Sequence, residues 1–331
     1  MKATHWAGLG FAVMAVAAGL ATLGLGLTLA GYDGVAALSA MYRGALGTPD
    51  AVLSALLPRA IPLILIGLGI GLSFRAGALN IGAEGQFYAG AVGATWVGLA
   101  VGSWPRGIAV PVVLIAGLAA GSLWALGPTI LRLRFGVLEV ISTLLLNFVA
   151  EAGVSWMVQG PLQESSHIYP QSDPLPLAAR LPGLPGTRLH AGLILAIVIA
   201  VAFWAFGSRT LAGLQLKATG LNPVAAEVMG GINTRRVFAL ALLGSGALAG
   251  LAGSIEISGT TFALFQNLSP GYGFTGIAVA LLARLDPIAT IATGLLFAAL
   301  EAGASAMQRD AGVPAVAVYV ASIGSAAIYL G

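Results

Sequence analysis

With 331 residues, 58% of them hydrophobic and 8% charged, the chain has a mean hydropathy of +0.95, which excludes a soluble globular domain, where about a quarter of residues are charged. The formal charge of +3 and pI of about 9.4 come from Lys and Arg scattered singly or in pairs between apolar runs, a pattern that sets membrane topology rather than nucleic-acid binding. The lack of cysteine excludes disulfides, thiol chemistry and cysteine-based metal sites.

Apolar segments of spanning length fall near 8–30, 53–73, 78–101, 107–131, 137–158, 190–207, 237–257, 287–307 and 313–331, with a shorter one near 271–284. They predict an all-α polytopic membrane protein of about ten transmembrane helices in one domain over 1–331. The run from about Ala7 to Ala30 after Lys2 exceeds a signal-peptide core and reads as the first span. With both ends inside, nine basic residues face the cytoplasm: Lys2, Arg75, Arg132, Arg134, Arg209, Lys217, Arg235, Arg236 and Arg284. Six face outward: Arg43, Arg59, Arg106, Arg180, Arg188 and Arg309. The excess inside predicts an N-in/C-in orientation. The outer loops are 31–52 and 159–189, the second stiffened by Pro170, Pro174, Pro176, Pro182 and Pro185. Each is either a docking surface or a plain connection.

From Arg75 to Gln86, glycines at 77, 82 and 85 interrupt the apolar pattern just where Asn80, Glu84 and Gln86 enter it, which predicts unwound backbone beside a cavity or partner. A comparable break runs from Asn267 to Gly276 and carries Pro270, Tyr272 and Phe274. Each break follows the first span of a four-span block, 53–158 and 237–331, and the blocks start in opposite directions. That arrangement predicts an inverted repeat. In the segment 137–158, Glu139, Thr143, Asn147, Glu151 and Ser155 recur every four residues, so successive members differ by about 40° around a helix. Thr143, Asn147 and Glu151 share a face that either lines a hydrated route or forms an interhelical hydrogen-bond seam. The small residues from Gly244 to Gly253 suit close helix packing.

The polar stretch 208–236 contains a short helix. Asn222 is an N-cap, Pro223 fits the first helical position, Val224 to Met229 favour one or two turns, and Gly230-Gly231 supply the stop. Too short to span and flanked by Arg209, Lys217, Arg235 and Arg236, it belongs on the cytoplasmic face, where a partner grips it. No catalytic constellation is present. His5, His167 and His190 lack metal-ligand spacing, and the two lysines, Lys2 and Lys217, follow no glycine-rich phosphate cradle. The chain is thus expected not to be an enzyme and to have no cofactor or metal of its own, and if it serves ATP-driven transport, a separate ATPase must supply the hydrolysis.

Several of these stretches resemble one family, in the same order. Phe74-Arg75-Ala76-Gly77 leading into Asn80-Ile81-Gly82-Ala83-Glu84-Gly85-Gln86 is similar to the signature of permease subunits of nucleoside and simple-sugar ABC importers, within the branched-chain amino-acid and ribose permease group. Glu139-Val140-Ile141 with Thr143 and Asn147, the loop with Gly220, Asn222-Pro223 and Ala225-Ala226, and the run from Gly271 to Leu282 resemble it too. Ala283 stands where a glycine commonly precedes the Arg-x-Asp/Asn-Pro turn.

The resemblance covers about residues 50 to 331 and implies an assembly in the bacterial plasma (inner) membrane. Its other members are a second homologous permease, making a heterodimer, a cytoplasmic ATPase holding ATP and Mg, and an extracytoplasmic binding protein or lipoprotein. It implies that Asn222, Pro223, Ala225, Ala226, Glu227 and Gly230 form the coupling helix. In such an assembly the two breaks and the polar stripe are expected to shape the translocation pathway, with Asn80, Glu84, Gln86, Thr143, Asn147, Glu151, Tyr272 and Phe274 along it. Nucleosides are the implied substrate, with a simple sugar as the alternative. Two other classes compete: an ion-coupled secondary transporter using Glu151 or Glu256 as proton carriers, and a membrane scaffold, which would not need the polar stripe of 137–158.

Overall fold

The computed structural model describes residues 18–314. Among them the backbone is helical, with two isolated β-bridges and no strand. The helices are α1 (Ala18–Leu29), α2 (Gly34–Ala45), α3 (Leu57–Arg75, entered through a π-helical turn at Ala51–Leu56), α4 (Ala83–Ala100), α5 (Arg106–Phe135) and α6 (Glu139–Val158). They continue as α7 (Gly192–Arg209), α8 (Leu211–Leu221), α9 (Pro223–Gly230), α10 (Thr234–Ile255, extended by a π-helical turn at Glu256–Thr261), α11 (Tyr272–Leu282) and α12 (Pro287–Ala311). Six of these stretches are long and apolar enough to cross a membrane: Ala51–Arg75, Arg106–Phe135, Glu139–Val158, Gly192–Arg209, Thr234–Thr261 and Pro287–Ala311. Ala18–Leu29 and Tyr272–Leu282 are shorter apolar helices. The expected spans over 8–30 and 313–331 lie partly or almost wholly outside the described residues.

Two expectations change. The connection 31–52, expected as an outer loop, holds a helix, α2, whose N-cap Asp33 accepts a hydrogen bond from the Ala36 amide at 2.9 Å. The stretch 208–236, expected on the cytoplasmic face, holds two helices rather than one, because α8 precedes the expected α9. Weak local pattern explains the omission: α8 carries two glycines and a threonine, and it is held by packing. Its Gly213 lies against the Phe206-Gly207 backbone, while Leu216 packs with Ala76 and Ala241.

The described residues up to Arg59 and from Leu296 onward belong to one compact unit, and 60–295 form a second. In the described part of the first, Leu23 and Leu27 of α1 pack with Ala37 and Met41 of α2 and with Met307 and Val313. The second is built around α4, whose residues are largely buried against α5, α6 and α10. Glycines let these helices meet backbone to backbone: Gly117 and Gly121 of α5 face Gly246 and Gly250 of α10, and Gly90 of α4 faces Gly250. In a bilayer, where apolar burial gives helices no reason to associate, such close approach gains van der Waals contact over a long surface.

Candidate functional site

Helix α3 ends at Arg75, and Gly77 turns the chain with φ +75°, a left-handed value suited to glycine. Residues 77–82 then run without helix before α4 starts at Ala83. Buried amides and carbonyls in such a stretch need partners, and the polar stripe of α6 provides them. Glu139 Oε1 accepts from the Leu79 amide at 3.4 Å, and Thr143 Oγ1 accepts from the Ile81 amide at 3.3 Å. Asn147 Oδ1 accepts from the Gly85 amide at 2.8 Å while its Nδ2 donates to the Ile81 carbonyl at 2.9 Å. Glu139 also pairs with Arg132 at 3.2 Å. Successive turns of α6 thus serve successive positions of the unwound chain.

The polar side chains of the break, Asn80, Glu84 and Gln86, are buried, while Leu79 is exposed. Asn80 and Gln86 pair amide to amide at 2.7 and 3.0 Å, and Asn80 also donates to Ser245 Oγ at 2.8 Å and accepts from the Gly82 amide at 2.9 Å. The second break begins after the π-helical end of α10, with left-handed φ at Phe262, Asn267 and Gly271. Ser269 Oγ then accepts from the Gly271 and Tyr272 amides at 3.1 and 3.0 Å, starting α11.

The two breaks meet. Glu84, in the first turn of α4, accepts from the Gly273 amide at 2.6 Å, so its carboxylate sits at the amino end of α11. A negative group is stabilised there by the unpaired amides and the helix dipole. Tyr272 stands edge-on to Phe87 with ring centres 5.8 Å apart, and Tyr88 Oη accepts from the Ser269 amide at 3.4 Å. A Cβ on Gly273 would run into the Glu84 backbone, so only glycine permits this approach.

One turn beyond Asn147 the stripe leaves the interior. Glu151 is exposed and lines an open cleft of about 300 Å³ with Tyr88, Phe148, Ser155, Gln266 and Asn267. Gln266 Nε2 donates to Ser155 Oγ at 2.7 Å, linking α6 to the second break. Of the residues expected along a pathway, Asn80, Glu84, Gln86, Thr143, Asn147 and Tyr272 are buried, while Glu151 and Phe274 are exposed. Sequence reasoning did not single out Tyr88 or Gln266. The signal for Gln266 is its place as a polar residue entering an irregular stretch; Tyr88 gives none, because a tyrosine in an apolar helix is ordinary core.

The loop 159–191 is pinned across this end of the second unit. The Ser172 amide donates to the Leu264 carbonyl at 2.8 Å, the Leu175 amide to Phe262 at 2.7 Å and the Leu181 amide to Ser258 at 2.8 Å. The Arg180 guanidinium lies 4.5 Å from the centre of the Phe262 ring. Hydrogen bonds from Ser166, Gln171 and the Tyr169 amide hold the Glu164 carboxyl below its ordinary pKa.

At the opposite end, Asn222 Oδ1 accepts from the Ala225 amide at 3.0 Å and Pro223 occupies the first turn of α9. Gly231 closes the helix with φ +60°, its amide and that of Ile232 returning to the Glu227 and Ala226 carbonyls. Glu227 accepts from Thr234 Oγ1 at 3.3 Å, and Ala226 is buried. The outward face carries Val224, Val228 and Met229 at 69, 79 and 88% exposure. Three apolar side chains are thus exposed on one short capped helix.

A family described as branched-chain amino acid transport system / permease component matches residues 52–323. The chain is 37% identical to a glucose ABC transporter permease protein of Haloferax volcanii, TsgB13, over 95% of this chain and 85% of that one. It is 35% identical to the guanosine ABC transporter permease protein NupP of Bacillus subtilis, over 92% and 88% of the two chains. The nucleoside ABC transporter permease protein NupB of Lactococcus lactis is 32% identical, over 86% and 80%. No solved structure matches.

Proposed function

The chain belongs to the branched-chain amino acid transport system / permease component family, and from that premise we propose that it is the membrane subunit of a nucleoside importer driven by a cytoplasmic ATPase. The observation that carries this reading is α9, rigidly capped at both ends and offering Val224, Val228 and Met229 to a partner. The chain has no phosphate-binding loop, so ATP and Mg bind the partner, and α9 receives the motion of nucleotide-driven closure. A second permease of the same family completes the route. Glu151 supports this: a carboxylate on an exposed face of an apolar helix is costly against lipid, on the order of 3 kcal/mol, and a facing permease with water between removes that cost. An extracytoplasmic binding protein delivers the solute above the pinned loop 159–191.

Nucleosides suit the cleft because the exposed Phe148 lines it together with the amide side chains of Gln266 and Asn267. A simple sugar is the second reading, favoured by the glucose permease among the relatives. The test is reconstitution of both permeases, the ATPase and the binding protein in proteoliposomes. ATP-dependent nucleoside uptake is expected. Gradient-driven uptake by this chain alone, without ATPase, would overturn the reading in favour of ion coupling.

The proposed topology is ten spans, N-in/C-in, in the bacterial plasma membrane, with 53–158 and 237–331 as an inverted repeat. The segregation of Arg132, Arg134, Arg235 and α9 from the Arg106 and Arg180 end of the second unit supports it; the Arg235 guanidinium donates to the Leu133 carbonyl, and Arg106 Nε donates to the Arg180 carbonyl at 2.9 Å. Because the chain has no cysteine, single cysteines report sidedness cleanly. Ser166→Cys is expected to react with an impermeant maleimide in intact cells, and Val228→Cys only after permeabilisation. The reverse pattern would invert the orientation.

A further inference from the structure

The cleft holds one carboxylate that the fold does not use. Glu139 pairs with Arg132, and Glu84 serves the Gly273 amide. Glu151 makes no hydrogen bond or ion pair among the described residues and opens into the cleft. It lies seven residues from the end of α6 at Val158, about 10 Å inside the apolar segment at 1.5 Å per residue. An ionisable group at that depth without an internal partner points to water or a polar solute.

The neighbours of Glu151 define the solute. The cleft measures about 300 Å³, at the lower end of small-molecule sites. One wall carries the exposed ring of Phe148, with Tyr88 nearby, and the rim carries the amides of Gln266 and Asn267. Ser155 is already engaged by Gln266 and Gln159, at 2.7 and 2.9 Å. An ionised carboxylate accepts hydrogen bonds through two oxygens and donates none. Two adjacent donors on one solute use both oxygens at once, as a pair of neighbouring hydroxyls does, whereas a lone donor uses one only.

We propose that the permease itself reads a vicinal diol in this cleft, with the Glu151 carboxylate accepting from two neighbouring hydroxyls of the passing solute and Phe148 covering its apolar face. The inference rests on the nucleoside-or-sugar importer reading and deepens it. Ribonucleosides and glucose both carry such a diol; 2′-deoxyribonucleosides do not. Selectivity for the ribose hydroxyls then resides in this subunit as well as in the binding protein.

The experiment measures ATP-driven uptake by the complete reconstituted transporter for guanosine, 2′-deoxyguanosine, methyl glucoside and methyl 3-deoxyglucoside, the last of which has no two adjacent hydroxyls, with the native permease and with Glu151→Gln. The binding protein is the same in every arm, so its own preference cancels when the variant is compared with the native protein for each solute. Loss of a charge-assisted hydrogen bond is expected to lower kcat/KM for guanosine about tenfold or more, and to leave 2′-deoxyguanosine within about twofold. The same contrast between methyl glucoside and methyl 3-deoxyglucoside, with guanosine not transported, would assign the diol to a sugar. Glu151→Asp keeps the charge while drawing it back by one methylene, and should move the guanosine to 2′-deoxyguanosine ratio in the same direction; it decides the matter if the glutamine variant does not assemble. Equal losses for diol and deoxy solutes, or none for either, would overturn the inference alone. Absence of ATP-driven uptake of all four solutes would remove the importer reading beneath it.

Discussion

Replacing Gly250 with leucine is expected to eliminate the folded chain, with no stable monodisperse species recovered in detergent. Gly250 sits where three helices touch. A Cβ there would run into the Gly117 carbonyl oxygen and stand 2.8 Å from the Gly121 Cα, while the Gly250 carbonyl occupies the space a Cβ on Gly90 would need. These neighbours are backbone atoms and cannot turn aside as the tip of a side chain can. Overpacking by a few methylenes costs about 1–3 kcal/mol where side chains can adjust, and here α4, α5 and α10 must separate along their length. A loss above about 3 kcal/mol, a large share of the stability of a typical domain, follows. Gly107→Leu is the control, because a Cβ at Gly107 meets nothing within 4 Å. Size-exclusion profiles and thermal denaturation of the two variants make the comparison. A Gly250→Leu chain as stable as the control would mean that the three-helix contact is not what holds the second unit together.

Aspartates in place of Val228 and Met229 should abolish uptake while leaving the membrane unit intact. Both side chains are nearly free of contact within the chain, at 79 and 88% exposure, so the change costs the permease itself little. The caps are untouched: Asn222 still accepts from Ala225, and Gly231 still closes the helix. The whole effect therefore falls on the partner surface. Apolar anchors buried at an interface are worth about 2 kcal/mol or more each, roughly thirtyfold in affinity, and a carboxylate forced into the same pocket adds a desolvation cost. Uptake in proteoliposomes is expected to fall below a thirtieth of the native rate. Co-purification of the ATPase should fall with it, whereas detergent stability stays within about 0.5 kcal/mol of native. Undiminished uptake would show that the ATPase takes hold elsewhere.

The α9 helix was legible because every device that makes it is local: a cap, a proline at the first position and a glycine stop lie within ten residues, Asn222 to Gly231. Its neighbour α8 was not, since Gly213 and Gly220 look like breakers until the Phe206-Gly207 backbone and the Arg75 carbonyl are seen occupying the space beside them. Helix α2 was hidden in the same way, as a short helix in a connection judged only by its length. The breaks were legible as glycines and polar residues entering apolar runs at 77–86 and 267–276. That they meet, through Glu84 and the Gly273 amide, could not be read from positions 189 residues apart.

By itself, then, the sequence determined the membrane class, the positions of both breaks and the capped helix, because each follows from hydropathy or from chemistry within a turn or two of chain. Only the tertiary structure decided what the stripe of α6 does. A four-residue repeat fixes which side chains share a face and is silent on what that face meets. Here Glu139, Thr143 and Asn147 meet unwound backbone 60 to 66 residues earlier in the chain, while Glu151, one turn further on, meets an open cleft. The difference arises where the backbone that needs hydrogen bonds ends and α4, which satisfies its own, begins.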